Sequence, residues 1–205
     1  MKKLLLIIFL ATAVLDAQVS FTSQSISFPG STKRCVVDMN GDFLDDLVGI
    51  SDGVIYVNQQ NTDGSFTLKE YMTQSSPYMP GWSITAADFN GDGYNDLMYG
   101  SGNGVAFALS EVGALGVNYN ITYGNQYVFS QRGNFIDIDN DGNLDAYMCH
   151  DTEPSVYYIN EDNMPVFYQG GLGDYPTGGH YGSLWVDYNN DGLMDLFIAK
   201  CGSSE

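Results

Sequence analysis

Four short segments of the chain carry the same acidic pattern. They are Asp38-Met-Asn-Gly-Asp-Phe-Leu-Asp-Asp46, Asp88-Phe-Asn-Gly-Asp-Gly-Tyr-Asn-Asp96, Asp137-Ile-Asp-Asn-Asp-Gly-Asn-Leu-Asp145 and Asp187-Tyr-Asn-Asn-Asp-Gly-Leu-Met-Asp195. Positions 1, 3, 5 and 9 of every copy are Asp or Asn. Such an all-oxygen donor set suits a hard cation. Transition metals would want nitrogen or sulfur, which these positions do not supply. The crowding points the same way, since 14 of the 25 acidic residues lie inside these loops. Two carboxylates about 4 Å apart repel by about 4 kcal/mol at an effective dielectric near 20. A loop holding three or four of them is poorly designed unless a cation sits among them.

The loops need elements to hold them at a fixed interval. Their first aspartates are 50, 49 and 50 residues apart, the period of a structural unit. An apolar stretch precedes the loop, as in Asn134-Phe-Ile136 or Ser183-Leu-Trp-Val186, and another follows it. In the first unit Leu47-Val-Gly-Ile50, the turn Ser51-Asp-Gly53, Val54-Ile-Tyr-Val57, the turn 61–65 and Phe66-Thr-Leu68 succeed one another. The second unit has Leu97-Met-Tyr99 and Val105-Ala-Phe-Ala-Leu109, and the third Ala146-Tyr-Met-Cys149 and Val156-Tyr-Tyr-Ile159. Short β-branched and aromatic runs bounded by Gly, Asn, Asp and Pro predict strands and hairpins. No window after residue 17 sustains a 3.6-residue apolar period, so no substantial helix is expected. Each loop is then a turn between strands. An EF-hand would place Glu at position 12 between helices, whereas position 12 here is Gly49, Tyr99, Met148 and Ile198. A unit of about 50 residues with about four strands has the size of a β-propeller blade. Three full units and a fourth that runs only ten residues past Asp195 predict a ring that does not close by itself.

The segment Gly81-Trp-Ser-Ile-Thr-Ala-Ala-Asp-Phe-Asn-Gly-Asp-Gly-Tyr-Asn-Asp-Leu-Met-Tyr-Gly100 resembles an FG-GAP repeat, the blade of the integrin alpha-subunit propeller. The segments 134–145 and 181–197 resemble its bacterial form, the VCBS or FG-GAP-like repeat. The resemblance covers nearly all of residues 30–200, although the literal Phe-Gly and Gly-Ala-Pro elements of true integrins are absent. It implies an all-β propeller, calcium in the loops, and adhesion or recognition of an extracellular protein or glycan. By this resemblance the ligand sets are Asp38, Asn40, Asp42 and Asp46; Asp88, Asn90, Asp92 and Asp96; Asp137, Asp139, Asp141 and Asp145; and Asp187, Asn189, Asp191 and Asp195. Calcium takes six to eight oxygens in irregular geometry, whereas magnesium demands tighter octahedral order. The third loop alone has four carboxylates at the ligand positions. The first is the outlier, with Phe43 where the others have Gly93, Gly142 and Gly192. A left-handed turn at Phe43 would cost roughly 1–2 kcal/mol, so the glycine at position 4 is expected to carry that turn.

Residues 1–17 read as a secretory signal. Lys2 and Lys3 precede a run from Leu4 to Leu15 that is apolar except for Thr12. Cleavage is placed after Ala17, with Ala11-Thr12-Ala13 as the alternative site and an uncleaved anchor as the alternative fate. The run is shorter than the roughly 20 residues that cross a bilayer, and no other stretch approaches that length. A secreted or cell-surface location follows. The net charge of −18 excludes binding of a phosphate backbone as a main activity. Cys149 and Cys201 are candidates for a disulfide between neighbouring blades, with buried free thiols as the alternative. His150 is expected to be a strand-end residue with a local hydrogen bond, and His180 a loop residue. Trp82, Trp185 and the tyrosines are expected to pack between blades. No catalytic residues are assigned, and the chain is read as a non-enzymatic binding module. The alternatives are a calcium-dependent carbohydrate-active enzyme, similar to the polysaccharide lyases built on such propellers, and a structural spacer of a larger surface protein. The enzyme would need clustered Lys or Arg with Tyr or His. The basic residues after the signal, at 33, 34, 69, 132 and 200, appear scattered.

Overall fold

A computed structural model describes residues 22–30, 33–114, 116–172 and 175–201. The expected signal, residues 1–17, therefore lies outside the described residues. Within them the chain is all-β, with fourteen strands and no helix. The order within each unit is simple. The first unit contains β1 (Cys35–Val37), β2 (Asp46–Ser51), β3 (Val54–Gln60) and β4 (Phe66–Met72), and the second β5 (Ser83–Ala87), β6 (Asp96–Gly100), β7 (Val105–Gly113) and β8 (Gly116–Tyr123). The third contains β9 (Ser130–Ile136), β10 (Asp145–His150), β11 (Val156–Glu161) and β12 (Met164–Gln169), and the fourth β13 (His180–Val186) and β14 (Asp195–Lys200).

Each of the first three units is a four-stranded antiparallel sheet in chain order, and the fourth is a two-stranded one. Every acidic loop joins the first two strands of its sheet, and the ninth-position aspartate is the first residue of the second strand. The first strands of successive sheets lie side by side: β1 against β5, β5 against β9, and β9 against β13. Stacked sheets sharing an edge in this way are propeller blades.

The stacking explains why the second strands read as continuous apolar runs. Successive side chains of a strand point to opposite faces, and an interior blade buries both. In β6, Leu97 and Tyr99 join Val48, Ile50, Ile55 and Val57 of the first sheet. Met98, between them in sequence, joins Ala146, Met148 and Val156 of the third. All of β6 is buried. Gly133 permits the close approach of the second and third blades, because a Cβ there would lie 2.7 Å from the terminal methyl carbon of Met98. Hydrogen bonds tie the same seams. The Gly133 N–H donates to Ser83 Oγ at 2.8 Å, and the Ser183 hydroxyl donates to the Asn134 amide oxygen.

The fourth blade covers only part of the third. Tyr147 is fully buried against Trp185, with ring centroids 5.4 Å apart. Phe197 occupies the position of Tyr147, Met98 and Val48 in the repeat; those three are 0% exposed and Phe197 is 47% exposed. Leu184 and Val186 are exposed beside it. Among the described residues no further sheet covers this face.

Candidate metal centre

Within each loop the first aspartate organises the backbone. Its two oxygens accept the N–H groups of positions 5 and 6, at 3.2 and 2.7 Å from Asp42 and Phe43 to Asp38. The same pair of bonds reaches Asp88 at 3.0 and 3.0 Å, Asp137 at 3.2 and 3.0 Å and Asp187 at 3.0 and 2.9 Å. Asn40, Asp139 and Asn189 each lend an oxygen to the N–H of position 5 as well, at 3.0, 3.2 and 2.9 Å. Such turns need left-handed residues. Positions 4 and 6 have positive φ in all four loops: Gly41 and Phe43, Gly91 and Gly93, Asn140 and Gly142, Asn190 and Gly192.

Phe43 is thus a correction. Gly41 does not relieve it; both residues are left-handed, at φ 77° and 67°. The Phe43 ring is 96% exposed, so no packing compensates the strain. Phe43→Gly should therefore raise stability by about 1 kcal/mol, or about 2–4 °C in melting midpoint for a chain this size. A lower midpoint in calorimetry would show that the ring has a contact worth more than the strain.

The ninth aspartate behaves differently from the others. Asp46 and Asp96 are 0% and Asp145 1% exposed, and each bridges two parts of the blade. Asp46 accepts Met39 N–H at 3.0 Å and Gln60 N–H at 2.9 Å. Asp96 accepts Phe89 N–H at 2.8 Å and Ser110 N–H at 2.6 Å, and Asp145 accepts Ile138 and Asn160 N–H, both at 2.8 Å. Asp195 accepts Tyr188 N–H at 3.0 Å. Burial pushes the carboxyls of Asp46, Asp96 and Asp145 above the usual range, against the pull of these hydrogen bonds. At Asp38 burial also raises the value, but bonds from Phe43, Gly41, Asn40 and Asp42 together outweigh it and leave the carboxyl low.

The third loop brings three carboxylates together. Carboxylate oxygens of Asp137, Asp139 and Asp145 lie within 4.8 Å of one another. Asp141 stands outside that group, with its two oxygens accepting the Asn143 backbone and side-chain N–H at 2.8 and 2.9 Å. Asp42 and Asp191 likewise accept from the N–H of Leu44 and Leu193, both at 2.9 Å. A donor set of carboxylate oxygens on one buried and two more accessible residues fits a hard cation in the third loop. In the other loops position 3 is Asn, so the equivalent group has one carboxylate fewer.

Residues outside the loops complete the arrangement. The Ser110 hydroxyl on β7 lies 3.0 Å from both Asp92 oxygens and 2.8 Å from Asp96 Oδ1. The backbone N–H groups of Gln60, Ser110 and Asn160, 14, 14 and 15 residues after the ninth aspartate, each donate to it. The near-constant spacing is the signal in the sequence. Two side chains also link loops to neighbouring blades. Asn95 Nδ2 donates to the Asp38 carbonyl and Asn160 Nδ2 to the Phe89 carbonyl, each at 2.6 Å.

The remaining sequence-based candidates fall out as follows. Cys149 is buried on β10, Cys201 is exposed just after β14, and each is a free thiol, so the two are not paired. His150 ends β10 and its Nδ1 accepts Thr152 and Glu153 N–H, both at 3.2 Å. His180, expected in a loop, begins β13 and is fully buried, 2.9 Å from Ser155 Oγ. Trp185 packs between blades, but Trp82 does not: it is 58% exposed. The basic residues are not scattered either. Lys33, Arg34 and Arg132 line one cleft with Trp82 and Tyr181. Arg132 lies far in sequence from the adjacent Lys33 and Arg34, and the side-by-side first strands bring them together.

A family model described as FG-GAP-like repeat matches residues 38–99 and 137–198. Those two stretches make up more than half of the chain. A solved structure of the Tc holotoxin pore of Photorhabdus luminescens is similar at 20% identity and a TM-score of 0.48. The similarity covers 82% of this chain and 8% of that one, so the chain spans a small part of that protein's length. No curated protein matches the chain. No helix among the described residues is long and apolar enough to cross a membrane.

Proposed function

Because the chain belongs to the FG-GAP-like repeat family, we propose that it is an exported, calcium-loaded propeller module whose task is recognition or adhesion at the cell surface or outside the cell. The observation that carries the calcium part is the carboxylate group of Asp137, Asp139 and Asp145, drawn within 4.8 Å at the head of a blade. Calcium there would neutralise that group, which also lies next to the hydrogen bonds that seat one blade on another. The signal-like residues 1–17 support export. The module is read as a binder rather than an enzyme: 14 of its 25 acidic residues belong to the loops, and His150 and His180 are held by structural hydrogen bonds, to Thr152 and to Ser155 of the preceding blade. A calcium-dependent carbohydrate-active enzyme is the second reading, favoured by the cleft that joins basic and aromatic side chains.

Calorimetric titration of the full chain with calcium tests the reading. The third loop should be the tightest site, since it has the most ligand charge. Asp139→Asn should weaken that site about tenfold, the order expected for loss of one charged ligand. A titration unaltered by Asp139→Asn would show that the third loop is not the tight site, and no heat of binding would remove calcium from the function.

A further inference from the structure

We propose that the cleft lined by Lys33, Arg34, Trp82, Arg132 and Tyr181 binds a uronate-bearing oligosaccharide. The proposal gives the recognition role a ligand class and rests on that reading only for a location outside the cell. None of the proposed calcium ligands lines the cleft.

The first observation is charge segregation. The chain carries seven Lys and Arg against 25 Asp and Glu. Three of those seven cations nevertheless line a single cavity of about 440 Å³, and none of its described lining residues is acidic. The cavity follows the starts of β5 and β9, whereas the acidic loops follow their ends. From Thr85 to Asp88, or from Asn134 to Asp137, an extended strand spans about 10 Å, beyond a Debye length of about 8 Å in physiological salt. The loops are therefore largely screened from the cleft, and the carboxylate at its edge, Asp151, is engaged by Gln131 and Tyr181.

The second observation is the character of the walls. The indole of Trp82 is 58% exposed and Tyr181 is 46% exposed, and Lys33 Nζ lies 5.4 Å from the Trp82 ring centroid. An aromatic surface and a cation are thus presented together. A pyranose offers C–H groups to an aromatic face and, if it is a uronate, a carboxylate to a guanidinium or ammonium. Sugar hydroxyls need partners that both donate and accept. Thr85, Gln131 and Asn134 supply these along the same walls. Gln131 and Tyr181 are steadied by a shared acceptor, Asp151 Oδ2, at 3.1 and 3.2 Å. An anionic peptide such as polyglutamate could use the cations and the acceptors but offers no ring of C–H groups to the exposed aromatic faces. A long nucleic acid would meet three cations in one place and strong repulsion elsewhere. The volume lies within the roughly 300–1,000 Å³ of small-ligand sites.

The test is calorimetric titration of the full chain, in saturating calcium, with a hyaluronan tetrasaccharide and with tetragalacturonate. Neutral chitotetraose and a hexaglutamate peptide serve as comparisons. At least one uronate should bind, and each of Arg132→Gln and Trp82→Ala should weaken it about tenfold or more, the value of one charge-assisted bond or stacking contact. Lys69→Gln, on β4 outside the cleft, should leave binding unchanged. Both Arg132 and Trp82 are exposed, so the melting midpoints of the variants should match the parent. Should Trp82→Ala fail to fold, Arg132→Gln with its Arg132→Lys partner and the loss of binding in high salt still decide. Absence of binding by both uronates overturns the proposal, as does equal binding of chitotetraose or of hexaglutamate, or indifference to Arg132→Gln. Calcium occupancy is read separately by melting with and without EGTA, so its failure is not confused with that of the cleft.

Discussion

Phe107→Ala is expected to cost about 3–5 kcal/mol, the range for removing a large aromatic side chain from a close-packed core. Phe107 lies on β7 and is 1% exposed. Its ring centroid is 5.8 Å from Phe89, 6.4 Å from Phe135 and 5.0 Å from Tyr158. Phe135 and Tyr158 belong to the next blade, and Phe89 is the second residue of an acidic loop. The substitution therefore opens a cavity at the seam between the second and third blades. Blades in a propeller cannot bury both faces alone, so each seam carries stability that no single sheet has. The melting midpoint should fall by roughly ten degrees. Leu68→Ala on β4, 41% exposed, should change stability by no more than about 0.5 kcal/mol. A Phe107→Ala loss as small as that of Leu68→Ala would show that the seam is not packed as described.

Calcium should raise the melting midpoint, and EGTA should lower it. A site bound only in the folded state contributes about 2.7 kcal/mol at 100 times its dissociation constant, so even one filled loop is measurable. The effect should depend on pH. Asp46, Asp96 and Asp145 are held above the ordinary carboxylate range by burial. In EGTA their contribution to stability is complete below the unfolded-state value near 3.9 and is lost as pH rises through their elevated folded values. Calcium requires their ionised forms and acts in the opposite sense. The calcium-induced shift should therefore be larger at pH 7 than at pH 4.5. An unchanged midpoint at pH 7 would remove the cation from the account of these loops.

The loops were legible in the sequence because they are local. Their hydrogen bonds, from Phe43 N–H to Asp38 or from Gly142 N–H to Asp137, span five residues. Residue type at fixed spacing therefore determines the turn, and the flanking apolar runs determine the strands. The period of the loops determined the blade and the repeat of the acidic positions. The left-handed Phe43 escaped the same local reading, since the glycine beside it offered another way to make the turn.

Contacts between blades had to be decided by the tertiary structure. Lys33, Arg34 and Arg132 look dispersed along the chain, yet the first strands of successive blades pack edge beside edge and place them in one cleft. Trp82 and Trp185 are alike as residues, but one lies on that open cleft and the other against Tyr147. Cys149 and Cys201 occupy similar places in their units but differ in burial, because the described fourth sheet has only two strands and its outward face is uncovered. His180 is buried by the same stacking, which places it against Ser155 of the preceding blade. The sequence by itself determined the acidic loops and the strands that hold them, through interactions reaching only a few residues. Which surfaces are buried, which remain open and which charges meet were decided only when sheets about 50 residues apart packed together.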